Sequence, residues 1–163
     1  GAAMPGNDGI TAHLGPSLVN MSEPGLTAGG VIFPVPLAIS RPSRGDIARA
    51  TIENFAYAIK QNIQRIKQIT GGPVGTVGLG GGMTRSHTFS STVANVLGAP
   101  LVTSGESATL IGAAKIATEA LGLANPADLV RDTIEPDQSL AAEYDDLYEQ
   151  WLERTTNLGK WAL

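Results

Sequence analysis

The residues whose types and spacing could do chemistry are concentrated in one segment, Gly78-Leu79-Gly80-Gly81-Gly82-Met83-Thr84-Arg85-Ser86. Three consecutive glycines strip the backbone of side chains, so a flat ligand such as a purine can lie directly against the peptide planes. Ser86 adds a hydroxyl that donates or accepts a hydrogen bond. Two common nucleotide signatures are excluded. No Gly-Lys-Ser/Thr closes the segment as in a P-loop, and Met83 stands where a dinucleotide G-x-G-x-x-G needs its last glycine after Gly78 and Gly80. Taken alone, the segment also reads as a turn that only lets a strand enter a helix.

Other residues offer less. His13 and His87 are far apart, and each reads as a surface or satisfied core residue. Without Cys, neither a disulfide framework nor a thiolate metal site can form, and the composition suits a reducing cytoplasm. Arg49 and Glu53 stand four apart, the spacing of an ordinary helix-surface pair. Glu106 reads either as a functional residue or as a charge that favours the start of a helix. No residue stands out as catalytic or metal-binding.

The elements that must position the glycines follow from apolar periodicity and breakers. The first forty residues are rich in Gly and Pro, with apolar runs at 14–19 and 31–37 that predict two or three strands. Pro34 and Pro36 face the same way and remove ladder donors, which places their strand at a sheet edge or ends it there. From Asp46, read as an N-cap, Ile52, Phe55, Ala56, Ile59, Ile63 and Ile66 recur at helical steps up to Gly71-Gly72-Pro73. A strand is expected over 74–79, a helix over 86–97 ended by Gly98, a strand over 100–102 and an Ala-rich helix over 107–121 ended by Gly122. A terminal helix over 137–156, with Asp137 as N-cap, puts Leu140, Tyr144, Leu147, Tyr148 and Trp151 on one face and acidic residues opposite. This order predicts one α/β domain of 163 residues, with helices covering a sheet whose later strands run parallel.

Charge and hydropathy narrow the partners. The net charge is −4, and the eleven Lys and Arg are scattered along the chain, so nucleic acid is not an expected partner. The apolar stretch 31–39 is broken by two prolines and is far shorter than the ~20 residues of a membrane span, so a soluble protein with no membrane partner is expected. The start, Gly1-Ala2-Ala3-Met4, has no initiator Met and no signal-peptide layout, which reads as a chain cut from something longer.

In order and spacing these pieces resemble the second half of the FGGY family of carbohydrate kinases, which includes xylulose, glycerol, ribulose and fucul(os)e kinases. The segment Asp46-Ile47-Ala48-Arg49-Ala50-Thr51-Ile52-Glu53 is similar to the family's helical signature. Gly80-Gly81-Gly82-Met83-Thr84-Arg85-Ser86 resembles its adenine-binding Gly-Gly-Gly-x-x-x-Ser/Asn. Further on, Ala94-Asn95-Val96-Leu97-Gly98-Ala99-Pro100-Leu101, the stretch from Glu106 to Ala114, and Glu135-Pro136-Asp137 with Tyr144 and Tyr148 look like the family's later segments. Two features depart from it: residues 21–43 lack the usual Gly-apolar signature, and Asn95 stands in place of the common Asp.

The resemblance implies a ribonuclease H-like, actin-type ATPase lobe with a mixed sheet and helices on both faces. It implies that Gly81 and Gly82 contact adenine through backbone, that Ser86 bonds the base or ribose, and that Gly80 lets the strand end tightly. It also implies ATP as cofactor, with Mg held mainly by the phosphates and by an N-terminal lobe that carries the sugar site and the catalytic Asp. The parent protein would then be a cytoplasmic kinase that transfers the γ-phosphate to a sugar or polyol hydroxyl, and this chain alone would be inactive. The alternative is a non-catalytic nucleotide-binding or regulatory module of the same fold.

Overall fold

The computed structural model describes residues 4–15, 29–35, 41–73, 76–104, 108–123 and 132–161. Two short strands, β1 (Thr11–His13) and β2 (Gly30–Ile32), pair antiparallel, with Thr11 opposite Ile32. The first strand therefore lies earlier than the apolar run at 14–19 suggests. Its inward residues are Ala12 and His13, too small and too polar to form a recognisable apolar run. β2 ends before Pro34, as a ring without an N–H requires. Pro36 and positions 16–19 lie outside the described residues.

The long helix α1 spans Arg44–Thr70. It starts three residues ahead of the expected place because Ser43, not Asp46, is the N-cap. Asp46 N–H donates to Ser43 Oγ at 3.2 Å, and Ser43 N–H donates to Asp46 Oδ2 at 2.7 Å, a reciprocal capping box. At the other end Gly71 adopts the left-handed conformation and stops the helix as predicted.

Strand β3 (Val77–Leu79), helix α2 (His87–Leu97), strand β4 (Leu101–Thr103) and helix α3 (Ala108–Ala120) follow in the expected order. β3 and β4 are parallel with Val77 opposite Leu101, as a crossover through α2 demands. A fifth strand, β5 (Asp132–Ile134), pairs antiparallel with β4 and makes the sheet mixed. Three residues, Asp-Thr-Ile, carry no pattern that would reveal it in the sequence. Asp137 accepts from Ser139 N–H at 3.0 Å and opens a 3-10 turn that leads into helix α4 (Ala141–Trp161), longer than expected.

One core joins these pieces. Tyr144, Tyr148 and Trp151 of α4 are buried against Ala56 and Tyr57 of α1, Phe89 and Val93 of α2, and Leu101 of β4. Val77, Leu79 and Ile134 pack on the same cluster, so alternate residues of the sheet face the helices. A smaller cluster of Ile10, Ala12 and Ala50 seats β1 on α1. Trp151 links the two regions by donating its indole N–H to Ala12 O at 3.0 Å.

On α1 the sequence reading is only half right. The fully buried residues are Ala50, Glu53, Asn54, Ala56 and Tyr57. Phe55 is 42% exposed and Ile66 is 50% exposed, although both belong to the apolar periodicity.

Candidate functional site

The glycine segment leaves the carboxyl end of β3, where open α/β sheets receive their ligands. Gly80 follows the last strand residue directly. Gly81 has φ 104° and ψ 178°, a backbone conformation that L side chains rarely adopt, so glycine is required there. Gly82 begins a 3-10 turn over Gly82–Arg85, closed by Thr84, whose N–H and hydroxyl both donate to Gly81 O at 3.1 and 2.7 Å. Space is open around the loop: a Cβ on Gly81 or Gly82 would meet no atom within 4 Å.

Ser86 is exposed at the start of α2 and is its N-cap, its Oγ accepting from Phe89 N–H at 3.2 Å. The hydroxyl proton can still be donated outward. Along this strand, turn and helix start, Gly80, Gly82 and Ser86 are exposed and Gly81 is half-buried. A flat ring laid on the Gly81–Gly82 peptides meets no side chain of those residues, with a hydroxyl one turn away.

Asn95 has a role of its own. Its Oδ1 accepts from Asp137 N–H at 2.8 Å, tying α2 to the start of the terminal helical segment. An amide side chain fills this role through its carbonyl oxygen.

The Arg49–Glu53 pair forms as its spacing predicts, with Nε to Oε1 at 2.9 Å, but it is not a surface pair. Glu53 is 3% exposed. Oε1 also accepts from Gly6 N–H at 3.2 Å, and Oε2 from Asn7 Nδ2 at 3.1 Å, while Arg49 bonds the Tyr144 hydroxyl. Burial pushes the Glu53 carboxyl up from its ordinary range, and the Arg49 guanidinium pulls it back. Although Glu53 faces a cavity of about 280 Å³, both oxygens are already bonded, so its chemistry is that of a structural anchor.

His13 is 1% exposed, with ring nitrogens 2.8 Å from Thr155 Oγ1 and 3.2 Å from Thr11 Oγ1, the satisfied core histidine expected for a lone His. It stacks on Trp151 with ring centroids 6.0 Å apart. Among the described residues no group of three or more His, Cys, Asp or Glu could hold a metal ion. No helix among them is long and apolar enough to cross a membrane. Glu106 lies outside the described residues.

A cavity of about 600 Å³ adjoins the glycine segment through Gly78, Leu79 and Met83 but is lined by none of Gly80, Gly81, Gly82 or Ser86. Its walls are α1, β3 and, through Phe89 and Val93, α2. The sequence reading missed it because Phe55, Ile59 and Ile63 register there simply as a core face.

Solved structures similar to this chain include carbohydrate kinases. The xylulose kinase from Rhodospirillum rubrum superposes with TM-score 0.76 at 22% identity, over 98% of this chain and 32% of that one. A Plasmodium falciparum glycerol kinase with ADP superposes with TM-score 0.64 at 17% identity, over 91% of this chain and 31% of that one. The fold is therefore the ribonuclease H-like, actin-type ATPase class, α/β with a mixed sheet. A family model described as the FGGY family of carbohydrate kinases, C-terminal domain, matches residues 27–121, more than half of the chain, and the chain belongs to that family. Glycerol kinase from Chloroflexus aggregans is 26% identical over 126 residues, covering 74% of this chain and 25% of the relative. That from Saccharopolyspora erythraea is 27% identical over 129 residues, covering 73% of this chain and 25% of the relative. The chain thus spans about a quarter of the length of these glycerol kinases.

Proposed function

We propose that residues 1–163 are the C-terminal nucleotide-binding domain of an ATP-dependent carbohydrate kinase, holding the adenine end of ATP on Gly80, Gly81, Gly82 and Ser86, with α4 packed on it as a terminal helix. The observation that carries this reading is Gly81: a positive-φ glycine at the carboxyl end of a parallel strand, with open space where its side chain and that of Gly82 would be. The P. falciparum structure with ADP, similar in fold, supports a nucleotide as the ligand.

ATP supplies the γ-phosphoryl group that a sugar or polyol hydroxyl attacks, a reaction governed by positioning and charge neutralisation. This chain's share is positioning. Gly81 and Gly82 present bare peptide planes to the base. Ser86 uses an oxygen lone pair to cap α2 and donates its proton to an acceptor on the base or ribose. None of the residues from Gly80 to Ser86 is acidic, so Mg²⁺ falls to the phosphates and to the N-terminal lobe of the same cytoplasmic kinase, which also supplies the sugar site and catalytic base.

Gly82→Val in the full-length kinase tests the site. A Cβ at Gly82 meets no atom beyond its chain neighbours within 4 Å, so the expected outcome is a higher KM for ATP with little change in the KM for sugar. Equal effects on both substrates would count against the assignment.

A further inference from the structure

Thr84 donates twice to one acceptor, Gly81 O: through its backbone N–H at 3.1 Å and through its hydroxyl at 2.7 Å. The N–H bond alone is enough to close the turn. The hydroxyl adds a second bond to the same oxygen, so both lone pairs of that carbonyl are occupied. In a trans peptide the C=O and N–H of one unit point in opposite directions. With Gly81 O drawn in toward Thr84, the N–H of Gly82 is aimed away from the turn, and none of the described residues accepts from it.

This peptide joins two glycines, which makes it easy to turn over. Glycine takes φ of either sign at little steric cost, so a coupled rotation about Gly81 ψ and Gly82 φ can invert the plane. Inversion would swing the carbonyl outward and hide the N–H. Farther along the turn Ser86 N–H donates to Met83 O at 3.1 Å, which ties the glycines to the cap of α2. The Gly82 N–H and the Ser86 hydroxyl are thereby held as two donors of fixed relative position.

We propose that Thr84 is a positioning residue for the nucleotide, locking the Gly81–Gly82 peptide in the orientation that presents the Gly82 N–H to an acceptor atom of ATP. The inference rests on the reading of this loop as the adenine-nucleotide site. Thr84 acts through the glycines and not by touching the ligand. A loop already ordered spares the nucleotide the cost of ordering two glycines when it binds. That gain is made in ground state and transition state alike, so it falls on the KM for ATP and not on kcat.

Steady-state kinetics of the full-length kinase carrying Thr84→Val or Thr84→Ser test the role. Valine keeps the shape of threonine and the backbone N–H, and loses only the hydroxyl. The expected result is a KM for ATP raised roughly 3- to 10-fold, the worth of one hydrogen bond, with kcat and the KM for sugar unchanged. Thr84→Ser keeps the donor and is expected to restore the parent KM for ATP. A parent-like KM for ATP in Thr84→Val, with or without a lowered Tm, would overturn the proposal. So would equal rises in the KM for ATP and for sugar, or a serine variant as impaired as the valine one. Gly82→Val measured alongside separates the two levels. If it raises the KM for ATP while Thr84→Val does not, the loop stands as the nucleotide site and Thr84 is not its positioning residue. If neither variant raises it, the reading of the loop fails and the role of Thr84 falls with it.

Discussion

Asn7 donates its side-chain amide to the buried carboxylate of Glu53 at 3.1 Å, across 46 positions of sequence. The bond fixes a turn of unusual backbone: Gly6, Asn7, Asp8 and Gly9 all have positive φ, at 73°, 46°, 52° and 86°. Non-glycine residues in that region are held there by their surroundings, and Asn and Asp tolerate it best. A Cβ on Gly6 would stand 2.8 Å from Leu147 Cδ2, so a side chain there requires the end of that leucine to shift. Glu53 thus links the entry to β1, the middle of α1 and, through Arg49, Tyr144 of α4.

Removing this carboxylate leaves a half-buried guanidinium, a buried N–H and an amide without their acceptor. Glu53→Ala is expected to destabilise the protein by about 3–5 kcal/mol, the range for breaking one side of a buried pair. Arg49→Met in the same background should recover part of that loss, because no uncompensated charge remains. Urea denaturation of the two single variants and the double variant measures the coupling, and strictly additive losses would show that the residues do not act as a unit.

His13 predicts a pH dependence. Burial, assisted by the positive charge of Arg154, lowers its pKa from 6.5 to about 4. Below pH 6.5 the unfolded chain takes up a proton that the folded chain refuses until about pH 4, so stability falls as pH drops through that window. The loss is expected to reach on the order of 2–3 kcal/mol at the acid end. Thermal denaturation between pH 7 and pH 4 should show it, with a flatter profile for His13→Gln. Identical profiles would remove His13 as the cause.

The helices were legible in the sequence wherever local chemistry bounds them. Gly71 and Gly98 end α1 and α2 because only the left-handed conformation closes those helices, and glycine adopts it without strain. The start of α1 was misplaced because Asp46 has the chemistry of a cap but serves at the third helical position, as the partner of Ser43. Long-range pairing was not legible. β5 is three residues held by β4, and Glu53 and Asn54 are buried by partners 40 or more positions away, which periodicity cannot register. The glycine segment was readable as a site because its signal is local: bare backbone between a strand and a capped helix. The cavity beside it was not, since an apolar helix face looks the same in sequence whether it is packed in the core or lines a cavity.

The 163-residue chain should bind adenine nucleotides weakly at most and phosphorylate no sugar. A C-terminal family domain matches its residues 27–121, and it spans about a quarter of its glycerol kinase relatives. A coupled assay with ATP and a panel of sugars and polyols checks this. Turnover by the pure chain would show that the catalytic base lies within these residues and would overturn the division of labour proposed above.

Ser86 separates ligand binding from folding, because its hydroxyl has two functions that different substitutions divide. Ser86→Ala removes the N-cap of α2 and is expected to cost about 1 kcal/mol of stability, together with a rise in the KM for ATP. Ser86→Asp restores the cap through a carboxylate oxygen but has no proton to donate, so stability should return while the KM for ATP stays raised. Ser86→Asn supplies both an acceptor for Phe89 N–H and a donor amide, and should recover both properties. Denaturation and steady-state kinetics on the full-length kinase give the two readouts. If all three variants keep the parent KM for ATP, Ser86 is only the cap of α2 and the nucleotide contact lies elsewhere on the loop.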